Sequence, residues 1–96
     1  MSQKTSNKKA RDLVTNRIEF TGSNTFGTLF PNGVYAVFSY GFHFPLFVFD
    51  GKVWIENADR YSVTTSKHKS QLRPDVGEQG SCFKLGTADL KSICGL

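Results

Sequence analysis

Residues 34–73 decide the fold, and they read VYAVFSYGFHFPLFVFDGKVWIENADRYSVTTSKHKSQLR. Nine of the thirteen aromatic residues in the chain lie in this stretch, which offers a large area for a buried core. Its last fourteen residues contain four basic side chains and no acidic one. We interpret the stretch as a sheet core that presents a basic strand-turn-helix to solvent.

Two turn signals divide this region into antiparallel hairpins. Asn32-Gly33 and Asp50-Gly51 each follow one apolar run and precede another, and such dipeptides accept the positive φ values that tight hairpins require. Val34–Tyr40 is apolar on both alternating faces, which is typical of a central strand covered on both sides. The predicted strand pairs are Phe26–Phe30 with Val34–Tyr40 and Leu46–Phe49 with Lys52–Glu56.

The flanking segments predict helices that cover this sheet. Capping residues, apolar spacing and helix-breaking residues indicate three helices. The first is an N-terminal helix over about 7–16. The second is a short basic helix over 66–72 that begins at Ser66, and the third is a C-terminal helix over 88–94 that begins at Thr87. The β-branched content of Tyr61–Thr65 favours a strand, and Cys82–Leu85 favours a last one. We therefore predict an α+β fold with a small antiparallel sheet of about five strands, as one domain over 7–96 after a flexible tail over 1–6.

The charge is modest in total but uneven along the chain. Twelve basic and eight acidic residues give a net charge of +4. Residues 1–17 carry five basic and one acidic side chain, whereas residues 18–59 carry one basic and four acidic. The excess in the N-terminal segment and in residues 60–73 could face a polyanion. The alternative is that these charges form a solvated face and a mobile terminus.

The class of protein follows from what the sequence lacks. Its N-terminus has no apolar run typical of a signal peptide, and no stretch approaches the roughly 18 apolar residues that span a bilayer. Cys82 and Cys94 have no CxxC spacing and are expected to be free thiols in a reducing compartment. We expect no membrane association and a cytoplasmic location.

Residues 60–73 are the strongest candidate for ligand binding. Hydroxyl groups, a helix N-terminus and basic side chains lie close together there, and these groups make most positioning contacts to nucleic-acid backbones. The basic residues near the N-terminus would add an electrostatic contact. The predicted binding residues are Arg60, Thr65, Ser66, Lys67, His68, Lys69 and Arg73, with Lys8, Lys9 and Arg11 as auxiliary contacts. A surface helix with solubilising charges is the alternative interpretation.

Aromatic residues beside this segment could stack on bases or contact a partner. Phe42 and Phe44 lie in a Gly-Phe-His-Phe-Pro bend, which is hard to bury completely, and they are the candidates we retain. Trp54 lies between Val53 and Ile55 in a predicted strand and is expected in the core.

No catalytic or metal signature emerges, and no cofactor is expected. The two histidines, His43 and His68, and the two cysteines match no metal-ligand spacing. A histidine could act with a cysteine or carboxylate only through tertiary contacts. No glycine-rich phosphate loop of standard spacing is present. The chain is therefore predicted not to be an enzyme.

Two motifs resemble those of a group of small uncharacterised phage- and plasmid-encoded proteins. They are Tyr40-Gly41-x-His43-Phe44-Pro45-Leu46 and, after Trp54, Tyr61-Ser62-x-Thr64-Thr65-Ser66-Lys67-His68 with Arg73-Pro74. Phe20-Thr-Gly-Ser-Asn24 is similar to a further segment of that group, so the resemblance covers roughly residues 10–75. It implies a mobile-element accessory protein of a bacterial host. Small phage proteins of this length are often inhibitors of host defence, including anti-CRISPR and anti-restriction proteins.

Three functions remain open at this point. The first is non-enzymatic binding to nucleic-acid phosphates through the basic strand-turn-helix. The second is inhibition of a host nucleic-acid-handling or defence complex by protein–protein contact. The third is an enzyme, which would need His43 or His68 beside a carboxylate or thiol in a cleft.

Overall fold

In the residues that the structure describes, seven strands form one sheet whose spatial order is the order of the chain. The computed structural model describes residues 3–22, 24–42, 44–59, 63–80 and 82–96. The strands in these residues are β1 (Gln3–Lys4), β2 (Phe20–Thr21), β3 (Thr25–Leu29), β4 (Tyr35–Ser39), β5 (Pro45–Phe49), β6 (Trp54–Asn57) and β7 (Phe83–Leu85). The helices are α1 (Asn7–Thr15), α2 (Val63–Leu72) and α3 (Thr87–Cys94), with a 3₁₀ turn at Gly77–Gln79. The predicted α+β class is confirmed.

The sheet is an antiparallel meander with a parallel strand at each edge. Strands β2 to β6 pair antiparallel, while β1 pairs parallel to β2 and β7 parallel to β6. Parallel neighbours cannot be joined by a tight turn, so the chain must cross over the sheet between them. Helix α1 lies in the first crossover and α2 in the second.

Both predicted hairpins are confirmed, and the turn residues explain them. The Phe30 N–H donates to the Val34 carbonyl at 2.8 Å, and Gly33 in that turn has φ +88°. In the second turn, Oδ1 of Asp50 accepts the N–H groups of Lys52 and Val53 at 2.9 and 3.0 Å. An Asp side chain that binds backbone N–H groups two and three residues ahead fixes the reversal locally.

Helices cover β4 from both sides, as its sequence predicts. All five residues of β4 are buried. On one face, α1 and α2 contribute Ala10, Val14 and Leu72 to a core built on Tyr35 and Val37; we call this the α1–α2 face. On the other, the α3 face, Leu90 and Cys94 pack with Ala36, Phe38, Val48 and Ile55.

Three local predictions are wrong. Residues 3 and 4, expected in a flexible tail, form β1. Val63–Thr65, expected in a strand, begins α2, so Ser66 lies inside that helix and does not cap it. β-Branched residues lower helix propensity only modestly. The parallel strands β6 and β7 need a crossover connection, and α2 provides it.

The caps of the other two helices differ in origin. Ser6, one of the two residues that the sequence offers as a cap, caps α1 through its Oγ, which accepts the Lys9 N–H at 3.3 Å. Thr87 does not cap α3 with its own side chain; instead Oδ2 of Asp59 accepts the Thr87 N–H at 2.8 Å. Thr87 Oγ1 accepts from the Asn57 amide at 2.9 Å. In the part of the chain that the structure describes, no helix is long and apolar enough to cross a membrane.

Gly27 in β3 allows the closest packing in the sheet. A Cβ at this position would overlap the Tyr35 hydroxyl oxygen and lie 2.6 Å from Cε1 of Phe20. The Tyr35 hydroxyl is fixed because it donates to the Ile18 carbonyl at 2.8 Å. Glycine is therefore required here for space.

Gly27→Ala should lower the free energy of unfolding by about 1–3 kcal/mol through overpacking. Urea denaturation followed by tryptophan fluorescence measures this loss. The Tyr35→Phe substitution removes the nearest overlapping atom, so the double variant should lose less stability than the two single variants combined. Additive losses would contradict the clash as the cause.

Candidate functional site

Glu56 ties α2 to β6 through two basic side chains. Its Oε2 lies 2.9 Å from Lys69 Nζ, and its Oε1 lies 2.6 Å from an Nη of Arg73. Lys69 Nζ also donates to the Asn57 carbonyl at 2.9 Å, and the Arg73 guanidinium lies 5.6 Å from the centre of the Phe47 ring. We call Glu56, Lys69 and Arg73 the clamp.

The clamp keeps Glu56 ionised although it is buried. Burial would raise the pKa of Glu56, but hydrogen bonds from Arg73 and Lys69 and their charges outweigh it and lower the pKa to about 2. Removing a carboxylate from water is unfavourable unless it is paired and hydrogen-bonded. The two cations therefore stabilise the fold.

This pairing corrects the prediction that Lys69 and Arg73 project freely toward a polyanion. Two positive charges share one negative charge, so the clamp retains a single net positive charge. Lys69 is largely covered, with 20% of its side chain exposed, while Arg73 is 46% exposed. Only Arg73 of this pair offers substantial surface to a ligand.

The other predicted basic residues are placed differently. Lys67 is exposed, and no salt bridge to it occurs among the residues that the structure describes. Lys9 and Arg11 are exposed on α1, and Arg11 Nε donates to the Arg73 carbonyl at 2.9 Å. Arg60 lies outside the described residues. Only the backbone is described for three further candidates, Lys8, Thr65 and Ser66.

The predicted aromatic contacts separate into exposed and buried rings. Phe42 is 53% exposed, and Tyr40 next to it is 43% exposed. Phe44 is 4% exposed, so the prediction of a stacking role for Phe44 is wrong: it packs in the core of the α1–α2 face. Trp54 is 3% exposed and its predicted core position is confirmed. We call Tyr40, Gly41 and Phe42 the aromatic turn.

His68 connects α2 to the aromatic turn. It is buried, its Nδ1 lies 3.0 Å from the Ser39 hydroxyl oxygen, and its ring centre lies 5.7 Å from that of Tyr40. Burial and, less strongly, the charge of Lys67 lower the pKa of His68, so the imidazole is neutral near pH 7. Within the described ranges its hydrogen bond is to a hydroxyl and not to a carboxylate or thiol. His43, the other candidate, lies outside those ranges.

Two residues near the aromatic turn adopt strained backbone conformations. Asn24 has φ +61° and Tyr40 has φ +60°, and the Tyr40 N–H donates to the Asn24 carbonyl at 2.9 Å. Asn tolerates the left-handed region, but a bulky residue such as Tyr rarely adopts it. Strain of this kind persists where the surroundings enforce it and is concentrated at functional sites.

A cavity of about 470 Å³ opens beside the aromatic turn. We call it the phenylalanine pocket after Phe20, Phe26 and Phe42 in its lining. The Phe42 ring stands edge to face against Phe26, with ring centres 5.0 Å apart, and against Phe38, with ring centres 5.2 Å apart. Its lining comes from the β2–β3 segment and the turn: Phe20, Thr21, Gly22, Asn24, Thr25, Phe26, Gly27, Thr28, Tyr40, Gly41 and Phe42. The sequence analysis did not predict this pocket. The feature that could have indicated it is the apolar Phe26 directly after a loop that contains Gly22 and Asn24.

The cysteines do not form a reactive centre of recognisable type. Cys82 and Cys94 are free thiols, as predicted. Burial raises the pKa of Cys94 to about 11, and burial together with the charge of Glu56 raises that of Cys82. A raised pKa leaves little thiolate at neutral pH. In the described residues, no group of three or more His, Cys, Asp and Glu side chains could hold a metal ion.

Comparisons with protein-family models, curated proteins and solved structures found no significant match to this chain. The proposed function therefore depends on the geometry described above and on the resemblance of the two sequence motifs.

Stability should fall as the pH drops from about 4.5 to about 2, because the clamp lowers the pKa of Glu56 from 4.5 in the unfolded chain to about 2 in the folded one. The stabilisation is complete above the unfolded pKa and is lost as the pH falls through the folded pKa. The free energy of unfolding should fall by up to about 3 kcal/mol over this pH range. Urea titrations at several pH values measure it.

Glu56→Gln should remove most of this acid sensitivity and lower stability at neutral pH, since Lys69 and Arg73 lose their counter-ion. Asp12→Asn, which alters an exposed carboxylate of α1, is the matched control and should keep the wild-type acid profile. An unchanged profile in Glu56→Gln would argue against the clamp.

Proposed function

We propose that this protein is a non-enzymatic nucleic-acid-binding protein, an accessory protein of a mobile element in the cytoplasm of a bacterial host. Its contact surface combines Lys67 on α2 with the exposed ring of Tyr40. The observation that carries the proposal is the packing of the exposed Tyr40 ring against His68 at 5.7 Å. Lys67, which is exposed, precedes His68 in the same helix.

The chemistry of this surface suits a nucleic acid. A cation can neutralise a phosphate, and an exposed aromatic ring offers a face on which a base can stack. Further positive charge lies on the α1–α2 face, from the exposed Lys9 and Arg11 on α1 and from the half-exposed Arg73. The net charge of +4 supports attraction to a polyanion.

A protein partner is the second candidate, as in an inhibitor of a host nucleic-acid-handling or defence complex of the anti-CRISPR or anti-restriction type. It is favoured by the phenylalanine pocket, where Phe42 is 53% exposed beside Phe26. Exposed apolar surface of this kind is typical of protein–protein contact sites. Capture of partners from a bacterial lysate with and without nuclease treatment distinguishes the two candidates, since loss of the partner after treatment favours nucleic acid.

Lys67→Ala should weaken binding to a fluorescent oligonucleotide and reduce the slope of log affinity against log salt by about 0.7–0.9, the contribution of one phosphate contact. Fluorescence anisotropy across a salt series measures both quantities. Lys52→Ala is the matched control, because Lys52 is also exposed but lies in the β5–β6 turn, at the end of the strands opposite to the aromatic turn. Equal slopes for both variants would exclude Lys67 from the contact.

Tyr40→Asn should weaken binding by about five- to a hundredfold through the loss of the stacking surface. Asn accepts the positive φ at this position, so the fold should be retained. Thermal unfolding checks that retention. Unchanged affinity in a folded Tyr40→Asn variant would contradict the proposed role of the ring.

A further inference from the structure

The phenylalanine pocket has the size and the lining of a site for a flat aromatic group. Its volume of about 470 Å³ falls in the range typical of small-ligand sites. Phe26 and Phe42 stand at 69° to each other, so a planar ligand stacked on one ring would be steeply inclined to the other. That arrangement matches the preferred geometries of aromatic contacts.

Hydrogen-bonding groups surround this apolar lining. Thr21 and Asn24 are exposed at the rim, and Thr28 lines the pocket from β3. Hydroxyl and amide groups both donate and accept, so they suit the mixed donor and acceptor edge of a base. A purely aliphatic ligand would make no hydrogen bond to these groups.

Charge is distributed unevenly around the pocket. At the Thr28 end, Oε2 of Glu19 accepts from Thr28 Oγ1 at 3.0 Å and from the Leu29 N–H at 2.9 Å. These two hydrogen bonds lower the pKa of Glu19, so the carboxylate is anionic. At the Tyr40 end, the Tyr40 ring contacts His68, and the residue before His68 in α2 is Lys67. A phosphate would be repelled from the Glu19 end and would therefore lie toward the end that α2 contacts.

We infer that the phenylalanine pocket receives one unpaired nucleobase, whose phosphate lies toward Lys67, and that the protein consequently prefers single-stranded over duplex nucleic acid. This inference rests on the proposed function and names the form of its ligand. In a duplex, each base is stacked on its neighbours and paired, so it cannot enter a pocket in a protein surface without being extruded. A single strand offers its bases freely.

The test compares three fluorescent probes of equal length by anisotropy at low salt: single-stranded DNA, an oligonucleotide in which every base is replaced by an abasic site, and duplex DNA. The abasic probe keeps the phosphates and removes the stacking groups. Wild-type protein should bind the single strand at least about fivefold more tightly than the abasic probe, the effect of about one stacked base.

Two variants locate the base. Phe42→Leu keeps apolar contact with Phe26 and Phe38 but removes the flat ring, and Thr21→Met adds non-aromatic bulk at the exposed rim without changing the phenylalanine cluster. Each should lower the preference for the single strand over the abasic probe by about fivefold, and stacking on Tyr40 accounts for any preference that remains. Phe83→Leu is the matched control, because Phe83 is 59% exposed on β7, far from the pocket in the strand order, and should keep the preference.

The outcomes separate this inference from the proposed function. Equal affinity for the single strand and the abasic probe would overturn both the base pocket and the stacking role of Tyr40, and would leave phosphate binding intact. A wild-type preference that both Phe42→Leu and Thr21→Met retain in full would overturn the pocket alone. Absence of binding to all three probes would overturn the pocket and the proposed function together. If Phe42→Leu fails to unfold cooperatively, Thr21→Met alone decides. Capture of a nuclease-insensitive protein that Thr21→Met loses, without any oligonucleotide binding, would assign the pocket to a protein side chain instead.

Discussion

The ion pairs of Glu56 determine how the rest of the surface is arranged. A carboxylate that is 6% exposed needs its charge compensated, and Lys69 and Arg73 provide that compensation from α2 and the residue just after it. Because successive helix residues are about 100° apart, Lys67 lies about 200° around the helix from Lys69. Turning Lys69 toward Glu56 therefore turns Lys67 away from the clamp.

A second contact fixes the same helix near the aromatic turn. His68 is held by the Ser39 hydroxyl at 3.0 Å and packs against Tyr40. With the clamp at the end of α2 and His68 in its middle, the helix is held at two points and cannot rotate freely on the sheet. A cluster of basic residues that looks continuous in sequence thus separates into a structural part, Lys69 and Arg73, and an exposed part, Lys67.

Local signals in the sequence predicted the local parts of the fold. Asn32-Gly33 and Asp50-Gly51 specify their hairpins within a few residues, and the apolar spacing of Ala10, Leu13 and Val14 predicts α1. The parallel pairing of β6 with β7 joins residues about 28 apart, for example Ile55 with Phe83, and no local pattern encodes it. Without that pairing, Val63–Thr65 looks like a strand because its β-branched residues favour one.

The candidate site was predicted only in part for the same reason. The Gly-Phe-His-Phe-Pro bend did not distinguish Phe42 from Phe44: Phe42 is exposed, whereas Phe44 two residues later packs in the core of the α1–α2 face. The clamp joins Glu56 to Arg73 across 17 positions, and the phenylalanine pocket joins β2, β3 and the aromatic turn. Such long-range contacts depend on the completed sheet.

The last strand has a consequence for how copies of this protein meet in solution. Strand β7 forms an edge of the sheet, all three of its residues are exposed, and one of its long sides has no strand beside it in the described part of the chain. An edge of this kind invites cross-molecular β-pairing and fibre growth. Here the strand ends after three residues and carries Lys84 between Phe83 and Leu85. Repulsion between facing lysines, together with so short a ladder, disfavours self-association at this edge.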